Sequence, residues 1–421
     1  MSRIVPTDLP REVLVLAAVA FSVAVGFGVV APAIPVFARS FGVGRAAASA
    51  VISVFAFMRL ITALGAGRFV NRSGERVVLA TGIAIVAVSS AVAGAAQSYL
   101  WLLLARGAGG LGSAMFSVSA MTLLLRSVGA KDRGRAVGLF SGAFLLGGIF
   151  GPALGGVVTG ASHRLPFFLY AGTLAVAGGI GLLALPRHAG EAAPAEEPTD
   201  VAHVATDVRA ERAGSTPDAA TATATRSTSD VRTALRLRAY RAALVTNAAD
   251  SWAALGVRSA LIPLFVEDAL HRRPVWTGVG FVVVALVNAA VLLPAGRYAD
   301  ARGRRPVMAA GAALSAVAMA TLAVAPALVP YLIAMAVFGL GSGLLDVAPA
   351  AVVGDIAPER AGTLVAAYQM AGDGGAVVGP LIAGRLADSA GYGAAFGATA
   401  GMLAFAALLS LRMPETRRAE Q

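Results

Sequence analysis

Apolar runs of about twenty residues, the length a helix needs to cross a bilayer, follow one another along the chain with short polar connections between them. Read this way, the spans fall at 12–38, 46–69, 76–96, 99–125, 136–160 and 166–186. A second set follows at 240–266, 275–299, 305–325, 328–354, 360–386 and 391–411. The pattern predicts an all-α polytopic membrane protein of twelve transmembrane helices. One polar stretch breaks the series: residues 189–230 are rich in Ala, Thr, Glu, Asp and Pro and nearly free of bulky apolar side chains. Such a segment cannot bury enough surface to fold. The expected organisation is therefore a six-helix half at 1–186, a disordered cytoplasmic linker at 187–238 and a second six-helix half at 239–421.

Internal repetition supports two related halves. Ile34-Pro35-Val36-Phe37 matches Ile262-Pro263-Leu264-Phe265, 228 positions later. Gly110-Leu111-Gly112-Ser113 matches Gly339-Leu340-Gly341-Ser342 at 229, and Gly147-xxx-Gly151-Pro152 matches Gly375-xxx-Gly379-Pro380 at 228. The fourth pair is the connection after the second span of each half, GRFVNRSGER from Gly67 and GRYADARGRR from Gly296, again 229 apart. Four collinear pairs at a near-constant offset of 228 or 229 mark a tandem duplication and two pseudo-symmetric halves.

Charge refines this picture. Only 14% of residues are charged against 57% hydrophobic, where a soluble domain carries about a quarter charged. The net charge of +11 does not point to nucleic acid, because the arginines cluster in the short connections. With both termini inside, Arg68, Arg72, Arg76, Arg126, Lys131, Arg133, Arg135, Arg297, Arg302, Arg304 and Arg305 fall on the cytoplasmic side, as the positive-inside rule requires. The basic stretch Arg232–Arg241 is expected to lie on anionic headgroups. The first run is too long for a signal peptide and should remain as a span in the plasma membrane. There is no Cys, and His163, His188, His203 and His271 all fall in connections or linker. No metal, cofactor or catalytic constellation is expected, and no enzyme activity.

The motifs resemble those of the major facilitator superfamily, most closely its twelve-span drug:proton antiporter branch, over both halves but not the linker. GRYADARGRR is similar to the family's signature loop, which latches the cytoplasmic side. The resemblance gives that gating role to Gly296, Asp300, Gly303, Arg304 and Arg305. In the first-half copy, Gly67, Arg72 and Gly74 remain, but Asn71 stands at the acidic position and Glu75 where a basic residue is usual. Gly147-xxx-Gly151-Pro152-xx-Gly155 resembles the antiporters' fifth-helix motif. Glycines four apart give a helix face without side chains and Pro152 removes a backbone hydrogen bond, which suits an interface that rocks between halves. Arg106 matches the Arg of the fourth-helix motif linked to proton handling, with Gly109 where Gln is usual. Gly107, Gly109 and Gly112 also spell GxGxxG, but no strand precedes them and a dinucleotide site is rejected.

The repeat provides a test independent of the family. Scaffold residues should recur in both halves, whereas residues specific to transport need not. At the measured offset Arg59 aligns with Asn288, Arg106 with Met335, Asp250 with Ser22, Arg258 with Val30, Asp346 with Ser117 and Asp373 with Leu145. All six charges are private to one half. A mid-bilayer charge costs about 2.5–3.5 kcal/mol on insertion scales, so each needs a partner or a wet cavity. Asp373, Asp346, Asp250 and Arg106 are the candidate proton-coupling residues. Arg59, Arg258, Phe55, Phe116, Trp252 and Phe338 are candidates for substrate binding. Desolvation favours a neutral carboxylate and a nearby cation the charged form, so one site can hold a proton or a cationic substrate but not comfortably both. The expected function is export of a small amphipathic compound in exchange for protons by alternating access, by a functional monomer whose partners are substrate, protons and lipid. The alternative is a facilitator or proton symporter importing a nutrient.

Overall fold

The computed structural model describes residues 9–129, 132–184, 232–356 and 361–416. Among them there is no strand. The first span is α1 (Arg11–Val30) and α2 (Ala33–Arg39), interrupted at Ala31–Pro32, where proline removes a backbone donor. Next come α3 (Arg45–Ser73), α4 (Glu75–Gly94), α5 (Tyr99–Arg126), α6 (Arg133–Ala161) and α7 (Leu165–Ala184). The seventh span is α8 (Arg238–Ser251), a π-helical turn at Trp252–Arg258, and α9 (Ser259–Asp268). It is followed by α10 (Val275–Arg302) and α11 (Arg304–Val324). The tenth span breaks into α12 (Leu328–Leu345) and α13 (Ala348–Ile356), and α14 (Ala361–Arg412) completes the bundle. The expected linker lies at positions outside the described residues for most of its length.

Eleven of these stretches are long and apolar enough to cross a membrane, yet the crossings number twelve. The 52-residue α14 would be about 78 Å long at 1.5 Å per residue, more than twice a hydrocarbon core of ~30 Å. It is divided at Gly391, which has φ 81° and ψ 173°. Gly74 (φ 79°, ψ 151°) and Gly303 (φ 103°, ψ 164°) have nearly the same conformation. This region of backbone space is essentially glycine's alone. At three places, then, one glycine ends a span and begins the next. At Gly74 and Gly391 an added Cβ would meet nothing within 4 Å, so the backbone angle, not crowding, requires the glycine.

Buried side chains form two cores, one in each half, the first also taking in Ala260 and Leu264 of the seventh span. One joins Leu16, Phe37, Leu102, Leu124 and Phe167, the other Tyr240, Phe265, Tyr331, Phe338 and Phe396. Within the first half α1 packs on α6 and α7, and α5 on α3 and α4; between the halves α14 packs on α3, and α10 on α6. The glycine face of α6 lies elsewhere than the pattern suggested. A Cβ at Gly147, Gly151 or Gly155 would lie 2.6, 2.5 or 2.5 Å from the carbonyls of Phe21, Val25 or Val29. That face is buried against α1 of its own half, not at the boundary between halves. The boundary contact comes from the next residue round the helix: Gly156 sits on Gly278, where a Cβ would be 2.8 Å from the Gly278 Cα. Its repeat partner Gly384 sits in the same way on Ala46, at 2.8 Å from that Cα. Both close approaches fall toward the end of the bundle that carries Arg45.

Candidate functional site

The two halves meet round a central cavity of about 60 Å³, walled by the first, second and fourth spans on one side and the seventh and eleventh on the other. Its wall is mostly apolar (Phe27, Ala31, Ile34, Ile52, Phe55, Ala56, Leu255, Ala376), with Ser259 and three charged residues, Arg59, Arg106 and Asp373. Four of the sequence candidates thus converge here: Phe55, Arg59, Arg106 and Asp373. Arg106 is 2% exposed, and its guanidinium lies 4.5 Å from the centre of the Phe55 ring. That placement lets the ring's negative face offset part of the desolvation. Asp373 lies within electrostatic reach of Arg59 from the other half, without a direct ion pair.

A second cluster lies entirely within the second half. Arg258 ends the π-helical turn and lies within electrostatic reach of both Asp250 and Asp346, and its guanidinium faces the Phe281 and Phe338 rings at 5.7 and 6.0 Å. Asn288 donates to the Asp346 carboxylate at 2.8 Å and to the Ser342 hydroxyl at 3.2 Å. Asp250 Oδ1 and Arg258 Nε are buried without a hydrogen-bond partner among the described residues. Asp346 does not sit on a continuous helix, as the sequence pattern suggested. It caps α12 at a break before α13, and Pro349 in the first turn of α13 is the signal that could have located that break. A π-turn and a broken helix both flank this cluster. Such irregularities concentrate at functional sites, and irregular backbone at membrane depth is tolerated where it is buried in protein or lines a cavity.

The other three candidates do not line the central cavity. Phe116 and Phe338 are buried in the cores of their halves. Trp252 packs against the eleventh span, with its indole N–H on Thr399 Oγ1 at 3.1 Å.

At the end carrying Gly303, Arg304 pairs with Asp300 and, through Nε, with Asp355 at 3.3 Å. The Glu415 carboxylate accepts from the backbone N–H of Arg304 and Arg305 at 2.7 and 3.1 Å. All these partners belong to the second half. In the first half the surroundings of Gly67 and the side chain of Asn71 lie outside what the structure describes, and Arg72 is exposed. Glu75, which seemed only a departure from the loop pattern, is buried and ion-paired with Arg126. Positions 75 and 126 correspond to 304 and 355 at the repeat offset of 229. The same link from the third to the fourth span is therefore present in both halves with its charges exchanged.

At the opposite end the halves are tied to one another. The N-cap of α3, Gly44, provides no side-chain acceptor. Asp388 of the eleventh span provides it instead, accepting from the N–H of Arg45 and Ala46 at 2.8 and 2.9 Å. Arg45 pairs with Asp268 at 3.2 Å and lies over the Tyr392 ring at 4.6 Å, and the Tyr392 hydroxyl donates to Asp268 at 2.7 Å. Sequence reading passed over Asp268, Asp388 and Tyr392; pairing across 124 to 343 positions leaves no local signal.

Two six-helix halves with separate cores, meeting round a central cavity and joined at one end, form the architecture of a repeat-built secondary transporter. The chain belongs to the Major Facilitator Superfamily, whose model matches residues 16–271 and 244–421. It is 30% identical over 161 residues to Multidrug resistance protein 1 of Bacillus subtilis, covering 38% of this chain and 41% of that protein. It is 25% identical over 174 residues to Quinolone resistance protein NorA of Staphylococcus aureus, covering 41% and 43%. The stretch shared with each relative thus spans about two fifths of that relative's length. In fold it is similar to the crystal structure of a bacterial homolog of the human lysosomal transporter Spinster, in an inward-facing and unoccupied conformation, with TM-score 0.75 at 15% identity and 95% of both chains covered. It is also similar to peptide transporter POT, with TM-score 0.73 at 13% identity, over 96% of this chain and 94% of that one. The protein is a multi-pass membrane protein of this superfamily.

Proposed function

We propose that the chain exports a small amphipathic organic compound in exchange for protons, by alternating access. The observation that carries this reading is the placement of Asp373, from the second half, opposite Arg59 in an otherwise largely apolar cavity. Apolar walls suit a hydrophobic substrate body. A lone carboxylate suits either a proton or a cationic group, and a site that holds only one of them at a time couples their movements. Asp346 and Asp250, close to Arg258, form the second carboxylate site, with Asp346 meeting substrate from the open side. The names of the two resistance proteins favour drug-like substrates. The arginine distribution favours a cytoplasmic Gly303 end. On that reading the contacts of Arg45 and Asp388 close the outer side, as in an inward-facing state of the cycle.

Efflux from proteoliposomes with and without an imposed pH gradient tests the proposal. Asp373→Asn should abolish uphill transport driven by the gradient while sparing substrate binding and downhill exchange. Asp346→Asn should weaken binding, most for cationic substrates. If Asp373→Asn still concentrates substrate, the proton site lies elsewhere, with Asp250 the next candidate.

A further inference from the structure

Away from the central cavity, at the Gly303 end of the bundle, a groove of about 420 Å³ opens between the beginning of the seventh span and the end of the twelfth. Three arginines stand at its mouth. Arg238 and Arg241 are three residues apart on α8 and so share a face, and Arg412 is the last residue of α14. All three are exposed, and none is ion-paired among the described residues. The rest of the wall is apolar: Val245 lies one turn beyond Arg241, and Leu409 and Phe405 lie one and two turns before Arg412. Phe405 is 55% exposed. From the arginines the wall therefore runs along both helices into the membrane for seven residues, or about 10 Å at 1.5 Å per residue.

We propose that this groove binds an anionic phospholipid, with the headgroup phosphate between Arg238, Arg241 and Arg412 and an acyl chain along Val245, Leu409 and Phe405. Three like charges converging without a carboxylate call for an anion, and guanidinium groups match phosphate oxygens bidentately. A soluble anion would use only the mouth. The apolar wall leading from it into the bilayer selects a ligand whose charged head is joined to a hydrocarbon tail. The site goes beyond general attraction of a basic segment to the headgroup layer, because it needs Arg412 from the other end of the half, while the neighbouring Arg232 and Arg236 are not part of it. It involves none of the residues of the central cavity.

The test uses the full chain, purified in detergent and delipidated, titrated with short-chain phosphatidylglycerol, phosphatidylcholine and inorganic phosphate. Bound lipid is read by native mass spectrometry. Each arginine near a phosphate is worth about fivefold in affinity, so three are worth on the order of a hundredfold. Phosphatidylglycerol should be preferred over phosphatidylcholine by that margin. The triple variant Arg238→Gln, Arg241→Gln, Arg412→Gln should lose the preference. Phe405→Ser with Leu409→Ser should weaken phosphatidylglycerol binding while leaving the headgroup preference. If the triple variant does not fold, Arg412→Gln alone should still lose about fivefold. Unchanged phosphatidylglycerol affinity in the arginine variants would overturn the proposal. So would full displacement of the lipid from the unaltered protein by millimolar inorganic phosphate, which would reveal a simple anion site.

Discussion

Removing the Asp388 carboxylate should loosen the outer closure and leave the helices in place. Asp388 caps α3 from the opposite half through two backbone hydrogen bonds of 2.8 and 2.9 Å. Loss of an N-cap acceptor costs about 1 kcal/mol, and loss of a negative charge at a helix N-terminus about 0.5 kcal/mol at an exposed position. Both contacts exist only while the Arg45 end is closed, so Asp388→Ala should shift the balance toward the outward-open state by about 1.5 kcal/mol, or roughly tenfold. The absence of Cys from the chain allows a clean assay. With Ser259→Cys as a reporter on the cavity wall, a membrane-impermeant maleimide applied to intact cells labels only outward-open molecules. Asp388→Ala should raise the labelling rate about tenfold, and Asp388→Asn, which keeps one acceptor, should raise it less. An unchanged or slower rate, with normal membrane insertion, would show that the cap contributes nothing to closure.

Two further outcomes follow from contacts within the halves. Glu75 is 8% exposed at its side chain and Arg126 58%, so Arg126→Ala strands a buried carboxylate. It should lower stability by about 2 kcal/mol, short of the 3–5 kcal/mol of a fully buried pair. Glu75→Arg with Arg126→Asp, which copies the arrangement in the second half, should restore most of that loss in thermal unfolding in detergent; failure to do so would mean the two links are not equivalent. On α6, Gly151→Leu should prevent folding, since even a Cβ would lie 2.5 Å from the Val25 carbonyl, whereas a Cβ at Gly148 meets nothing within 4 Å. Gly148→Ala should be neutral or stabilising by up to about 1 kcal/mol, and equal damage from both substitutions would refute the packing argument.

The sequence revealed those features that depend on neighbours along the chain. Bilayer-length apolar runs placed every span, because helix length and hydrocarbon thickness leave little freedom. The expected start of the second span at 46 and the observed start at Arg45 differ by one residue. Of the residues round the cavity, Arg59, Arg106 and Asp373 were singled out because an unrepeated intramembrane charge is costly enough to require a reason, and Phe55 only as an apolar side chain in a span. Asp388 and Tyr392 were missed, since their partners Arg45 and Asp268 are far away in sequence and none of the four carries a local sign of the others. Trp252 and Phe338 were placed on the cavity because an aromatic side chain in a span carries no mark that distinguishes lining from packing. Glu75 looked like decay of a motif until its partner Arg126 was seen to have changed as well.

The three single-glycine turns remove play from the mechanism. A connection of several residues lets two neighbouring helices slip past each other, but one residue at Gly74, Gly303 or Gly391 leaves no slack to absorb a shift. The second span must carry the third with it, the eighth the ninth and the eleventh the twelfth, each pair behaving as one stiff strut. Because the second, eighth and eleventh spans are also among those that touch across the halves, any displacement at that seam is delivered at once to the third and ninth spans, which pack within their own halves.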